Sequence, residues 1–140
     1  MTLTAVLPSF RQSLPDPLQH DAWPPDTIAT LDDLLVGGVS ILADVQRIGV
    51  PLVHGDGVRA IAVGRVLSRI DGLDDRVDLT VGVPDDLAYV WSEARVMGRI
   101  SPSPAGGVRV STPSRCQGAI TVLPHDTAVG DLLAIPFVRA

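Results

Sequence analysis

The apolar positions of the chain change period along its length. Ile41, Val45 and Ile48 recur at spacings of four and three, the interval that stacks side chains on one face of a helix, so a short helix is expected over 40–48 with Gly49 as its stop. Before it, Leu34, Leu35 and Val36 make a short apolar run closed by Gly37-Gly38. After it, Val50 to His54 reads as a strand leading into Gly55-Asp56-Gly57, a turn sequence.

From residue 58 onward the period is two, which is the signature of strands. In 58–70 the even positions Val58, Ala60, Ala62, Gly64, Val66 and Ile70 are apolar or small, whereas the odd ones mix Arg59, Arg65 and Arg69 with Ile61, Val63 and Leu67. One core face and one mixed face are expected. In 76–83 Val77, Leu79, Val81 and Val83 share a side opposite Arg76, Asp78 and Thr80, and Pro84-Asp85-Asp86 closes the strand. In 87–100 Ala88, Val90, Ala94, Val96 and Ile100 fall on one side, leaving Tyr89, Trp91, Glu93, Arg95, Met97 and Arg99 on the other. Three more short strands are expected near 107–111, 118–123 and 132–138. With no internal repeat, six to eight strands and one short helix predict a mainly β chain, an antiparallel barrel or sandwich.

The N-terminal part departs from both periods. Pro8, Pro15, Pro17, Pro24 and Pro25 interrupt residues 7–31; each removes a backbone donor and fixes φ, so 1–33 is expected to be an extended Pro-rich arm. Trp23 should pack from that arm onto the body, where its large apolar area is worth burying.

Composition then limits the chemistry. At 140 residues the chain suits one domain, and 46% apolar against 19% charged residues suits a folded, rather apolar one. All eleven basic residues are Arg. With no Lys, a Schiff base between this chain and pyridoxal phosphate is excluded, although Arg in place of Lys, with plentiful Ala, Val, Asp, Gly and Leu, is also what a GC-rich genome would encode. A net charge of −5 with scattered Arg argues against a nucleic-acid partner. One cysteine, Cys116, forms no internal disulfide, and His20, His54 and His125 lie too far apart in sequence to suggest a metal site. Residues 1–10 lack the basic and long apolar regions of a signal peptide, and no apolar run approaches the ~20 residues of a membrane span. A cytoplasmic chain without metal, cofactor or membrane association is the expectation.

Two stretches carry a resemblance. Leu34 to His54 reads LLVGGVSILADVQRIGVPLVH, and the segment after Cys116 contains ITVLPHDTAVGDLLAIPF. Together they resemble the fold-type III pyridoxal-phosphate decarboxylases, the diaminopimelate and ornithine decarboxylase family. There a Gly-Gly, an apolar helix and a Gly-x-Pro-Leu strand precede the catalytic barrel, and a Cys motif leads into a Gly-Asp-Leu-Leu-Ala-x-Pro strand of the C-terminal β-barrel. The large (β/α) barrel that the family places between these stretches is replaced here by the turn from His54 to Val58, and the family's Cys-Glu-Ser-x-Asp run becomes Cys116-Gln117-Gly118-Ala119-Ile120. The resemblance thus implies a small stand-alone antiparallel β-barrel domain over 1–140, without the cofactor domain and without the ancestral decarboxylation.

The side of 87–100 bearing Tyr89, Trp91, Glu93, Arg95 and Met97 holds two of the five aromatic residues beside an acid, a base and a thioether. As a pocket lining, it would use Tyr89, Trp91 and Glu93 as the catalytic groups and Arg95, Met97, Arg65 and Cys116 as substrate contacts. As a plain strand face, its aromatics would pack on the arm and Glu93 and Arg95 would form a surface pair of small value. Cys116 beside Arg115 is either an activated thiol or a small apolar residue. His54 and Asp56 are either an acid–base pair or ordinary turn chemistry.

Without cofactor or metal, such a barrel can bind a ligand or catalyse by shape, since orientation alone lowers the barrier to an intramolecular reaction. The expectation is a β-barrel that binds an apolar metabolite of a bacterial biosynthetic pathway and extends to its cofactor-independent cyclisation, for instance a cycloaddition. The alternative is a non-catalytic, decarboxylase-like interaction or regulatory subunit that docks on a full-length enzyme, or on itself as a homodimer, through the surface the lost domain once covered. A folded product without function is the third reading.

Overall fold

A computed structural model describes residues 17–115 and 118–139. The described residues are mainly β, with one helix among them and a sheet curled into a half-barrel. The first three strands, β1 (Thr27–Ala29), β2 (Leu34–Val36) and β3 (Val39–Ser40), form a small antiparallel meander. Helix α1 (Ile41–Ile48) follows at once. Its start is specified twice: Ser40 Oγ accepts from the Ala43 N–H at 3.0 Å, and Asp33 Oδ1 accepts from the Leu42 N–H at 2.9 Å. Gly49, at φ 96°, ends it by donating its N–H to the Val45 carbonyl.

The larger sheet contains β4 (Leu52–His54), β5 (Arg59–Asp71), β6 (Val77–Val81), β7 (Ala88–Tyr89), β8 (Arg95–Met97), β9 (Ala105–Ser111), β10 (Ala119–Pro124) and β11 (Leu132–Val138). Its order is β10-β9-β6-β5-β11-β7, with β4 also on β5 and β8 also on β11. Pairing is antiparallel except between β6 and β9, which run parallel, Leu79 opposite Val110. The expected antiparallel character thus holds throughout the sheet but for this one pair. A parallel neighbour needs a crossover, and residues 82–104 provide one by running to the far edge of β11, where β7 and β8 pair, before returning as β9. The 3-10 turn Trp91–Glu93 between β7 and β8 lies against β10, so the two ends of the curled sheet meet through side chains.

β5 and β11 form the wall between two cores. Ala60 and Ala62 face Phe137 and Ile135 in one, with Leu79, Val81 and Leu133; Ile61 and Val63 face the other, with Trp23, Leu34, Ile41, Met97 and Ala134. Small residues on β5 opposite large ones on β11 let the first core fill at close-packed density. Both faces of β5 are therefore buried from Ala60 to Gly64, where one core face and one mixed face were expected. Past Val66 the register shifts. Val66 pairs with Val81 and Ser68 with Thr80, so Leu67 is the extra residue of a bulge that exchanges the two faces. Arg69 then lies opposite core residue Leu79, and Ile70, expected inside, is exposed.

Trp23 is completely buried against the body of the fold, as expected. The extended arm expected over 1–33 is not shown: of its described residues, most of 20–26 are turns and Thr27–Ala29 is strand. Residues 1–16, with Pro8 and Pro15, lie outside the described residues.

Candidate functional site

The run 87–100 is two short strands interrupted by the 3-10 turn Trp91–Glu93, not one strand. This changes which residues share a side. Tyr89 pairs with Phe137 and faces the first core, whereas Arg95 pairs with Ala134 and Met97 with Leu132, both residues of the second core. The expected single face of Tyr89, Trp91, Glu93, Arg95 and Met97 is thus divided between two sides of the sheet. The tight turn advances the chain by three residues per turn rather than two, so strict alternation is lost across it.

Tyr89 and Trp91 remain together. Their ring centroids are 4.9 Å apart at an interplanar angle of 47°, and Phe137 meets Tyr89 edge-on at 6.0 Å. The two rings border an open cleft of about 270 Å³ between the crossover and the end of β9. Asp85, Leu87, Val110, Ser111 and Thr112 line it too, together with Arg115, Gly118 and Ala119. The neighbouring Cys116, expected among the substrate contacts, lies outside the described residues.

Two polar groups of the cleft are fixed by neighbours. Tyr89 donates its hydroxyl to the Pro84 carbonyl at 2.6 Å. Burial pushes its phenol above the ordinary value, and the Asp86 and Asp85 carboxylates push it further, so the group is neutral across the physiological range. Asp85 moves the other way: the Thr112 hydroxyl close by, then the backbone and side chain of Ser114, hold its carboxyl below the usual range. Ser114 donates its N–H to Asp85 Oδ1 at 3.1 Å. The Thr112 hydroxyl makes no hydrogen bond within strict geometry and acts on Asp85 as a nearby dipole.

The other expected site residues among those described do not line the cleft. Glu93 Oε1 accepts the Trp23 indole N–H at 2.9 Å and the Gln19 N–H at 2.8 Å, fastening the arm to the 3-10 turn. Met97 is buried in the second core, and Arg95 is half-buried on β8 outside the cleft. Arg65 donates to the Gly130 carbonyl at 2.8 Å, on the far side of the wall from the cleft. It is one of three arginines that hold the loop before β11. Arg69 donates to the carbonyls of His125 and Thr127, and Arg99 makes a two-pronged contact with Asp131, at 2.9 and 2.7 Å, and also reaches Asp126. His54 stands 3.5 Å from Asp44, not beside Asp56 as its acid–base partner.

No protein family, curated protein or solved structure matches the chain. Among the described residues no three His, Cys, Asp or Glu side chains are grouped as a metal site, and no helix is long and apolar enough to cross a membrane. Residues that the sequence left unassigned, Asp85, Leu87, Thr112 and Ala119 among them, line the cleft because the crossover lies against the end of β9 and the start of β10. The Pro84-Asp85-Asp86 run was legible as a turn, but nothing local marks it as a cleft wall.

Proposed function

We propose that the chain is a small-molecule-binding β-domain that seats the apolar ring of its ligand in the cleft beside Tyr89 and Trp91. The observation that supports this is the aromatic pair itself: two half-buried rings on one wall, with carboxylate, hydroxyl and guanidinium groups around them, is the mixture by which pockets hold and orient small ligands. A flexible ligand held against the rings would be favoured toward intramolecular ring closure by orientation alone, the cofactor-independent cyclisation open to a chain without lysine. Calorimetric titration with a panel of ring-bearing compounds tests the proposal. Binding to the wild-type chain that falls at least ~10-fold in Trp91→Ala, about 1.4 kcal/mol, supports it, and the same affinity in both proteins contradicts it. Ile120→Ala, on the outer face of β10, serves as the control.

One observation favours a second reading. Ile120 and Val122 are largely exposed on β10, the terminal strand of the sheet, and so is Ile70 on the same outer face. Apolar residues on an edge strand suit self-association. Sedimentation equilibrium showing a dimer that Ile120→Lys dissolves would support a homodimer; a monomer at all concentrations would contradict it.

A further inference from the structure

The polar end of the ligand can be read from the charges around the rings. We infer that the cleft selects ligands carrying a protonated amine, with the ring against Tyr89 and Trp91 and the ammonium on Asp85; this rests on the cleft being the binding site. Asp85 is a carboxylate that lines the same cleft as the two rings and is positioned by the Ser114 N–H; the Arg115 guanidinium acts on it from a distance, as the least of the causes that lower its pKa, without forming an ion pair with it. Its lowered pKa keeps it ionised throughout the neutral range. Asp86 follows it directly, and both carboxylates are close enough to act on the Tyr89 phenol. The lining itself holds one carboxylate, Asp85, and one cation, the exposed Arg115, with Asp86 just outside it. At the Tyr89 hydroxyl the two carboxylates act and the guanidinium does not, so that edge of the cleft favours positive charge. An ammonium there gains from the carboxylate and from the negative faces of the rings, which attract cations and not anions.

Chemistry separates this ligand class from its neighbours. A neutral ring compound would use the aromatic wall but leave Asp85 unpaired, and an anionic one would have to sit beside two carboxylates to reach Arg115. The test is a matched series on one ring: 2-phenylethylamine, 2-phenylethanol and 3-phenylpropanoate, titrated calorimetrically at neutral pH. The amine is expected to bind about tenfold tighter than the alcohol, the carboxylate most weakly, and the preference for the amine to shrink as salt is raised. Asp85→Asn keeps an acceptor for Ser114 and should bring the amine down to the affinity of the alcohol, whereas Arg115→Gln should raise amine affinity. Equal binding of amine and alcohol, or preference for the carboxylate, overturns the inference while leaving the ring site standing. If no member of the series binds and no other ring compound does, the ring site itself fails.

Discussion

The indole N–H of Trp23 donates to Glu93 Oε1 at 2.9 Å, joining two residues 70 positions apart. The contact ties the completely buried ring of the arm to the 3-10 turn that carries Trp91, and so couples the second core to the wall of the cleft. Trp23→Phe keeps most of the apolar area and removes the donor, leaving Glu93 with the Gln19 N–H alone. A loss of about 1–2 kcal/mol in urea unfolding is expected. Trp23→Ala should cost about 3–5 kcal/mol, as large truncations in a packed core do. Equal costs for the two variants would show that the hydrogen bond, not the ring, carries the contribution.

Gly64 fits its place because it has no side chain. A Cβ there would lie 2.4 Å from the Gly82 carbonyl oxygen and 2.7 Å from Val83 Cγ1, and the backbone oxygen cannot turn aside. Gly64→Ala is expected to destabilise the chain by about 1–3 kcal/mol, the usual cost of overpacking. Gly107→Ala, which would meet nothing within 4 Å, is the comparison and should be close to neutral. Thermal unfolding of the two variants side by side gives the difference.

Much of this framework was legible in the sequence. The helix over 40–48, the strand 76–83 and the three C-terminal strands lie where the period of apolar residues puts them, because in each segment local preference and burial agree. The 3-10 turn at Trp91–Glu93 was not legible, since a single tight turn inside an alternating pattern leaves the pattern intact in sequence while changing which way it faces. The same holds for the bulge at Leu67 and for the two-sided burial of β5. As for the candidate site, alternation along 87–100 put Glu93 and Met97 on one side with Tyr89 and Trp91, but only the two rings line the cleft; the partners of Glu93 and Met97, like that of Arg65, come from elements distant in sequence.

Arg99 sets the acid sensitivity of the loop before β11. Its guanidinium bonds both Asp131 and Asp126, and this contact is the chief reason both carboxyls lie below their ordinary value. A carboxylate whose pKa is lowered on folding contributes stability above its unfolded pKa of about 3.9 and loses it as pH falls through the lowered folded value. Arg99→Met should therefore cost about 1–2 kcal/mol at neutral pH. The gap from the wild-type chain should narrow steadily as pH falls below about 4. Urea midpoints for the two proteins at neutral and at acid pH measure it, and a gap independent of pH would assign Arg99 a packing role instead.

Tyr89 is the chain's one tyrosine, so its ionisation is directly visible in the ultraviolet. Burial, reinforced by Asp86 and Asp85, raises its pKa. The stabilisation of the neutral phenol is complete below the unfolded pKa of about 10 and is lost as pH rises toward the raised folded value. Spectrophotometric titration of the native chain should show phenolate appearing later than in the urea-unfolded chain, which should titrate near pH ~10. Coincident curves would place the hydroxyl in water and remove one fixed group from the cleft.

The central claim is that Tyr89 and Trp91 form a ligand site. The chain has two tryptophans, so the two indole N–H signals in a nitrogen–proton correlation spectrum, assigned by Trp23→Phe and Trp91→Phe, report separately on the cleft and on the buried arm contact. Titration with the tightest ring-bearing compound should move the Trp91 signal in a saturable way and leave the Trp23 signal in place. A Trp91 signal that stays fixed at saturation, or a shift confined to Trp23, would contradict the account.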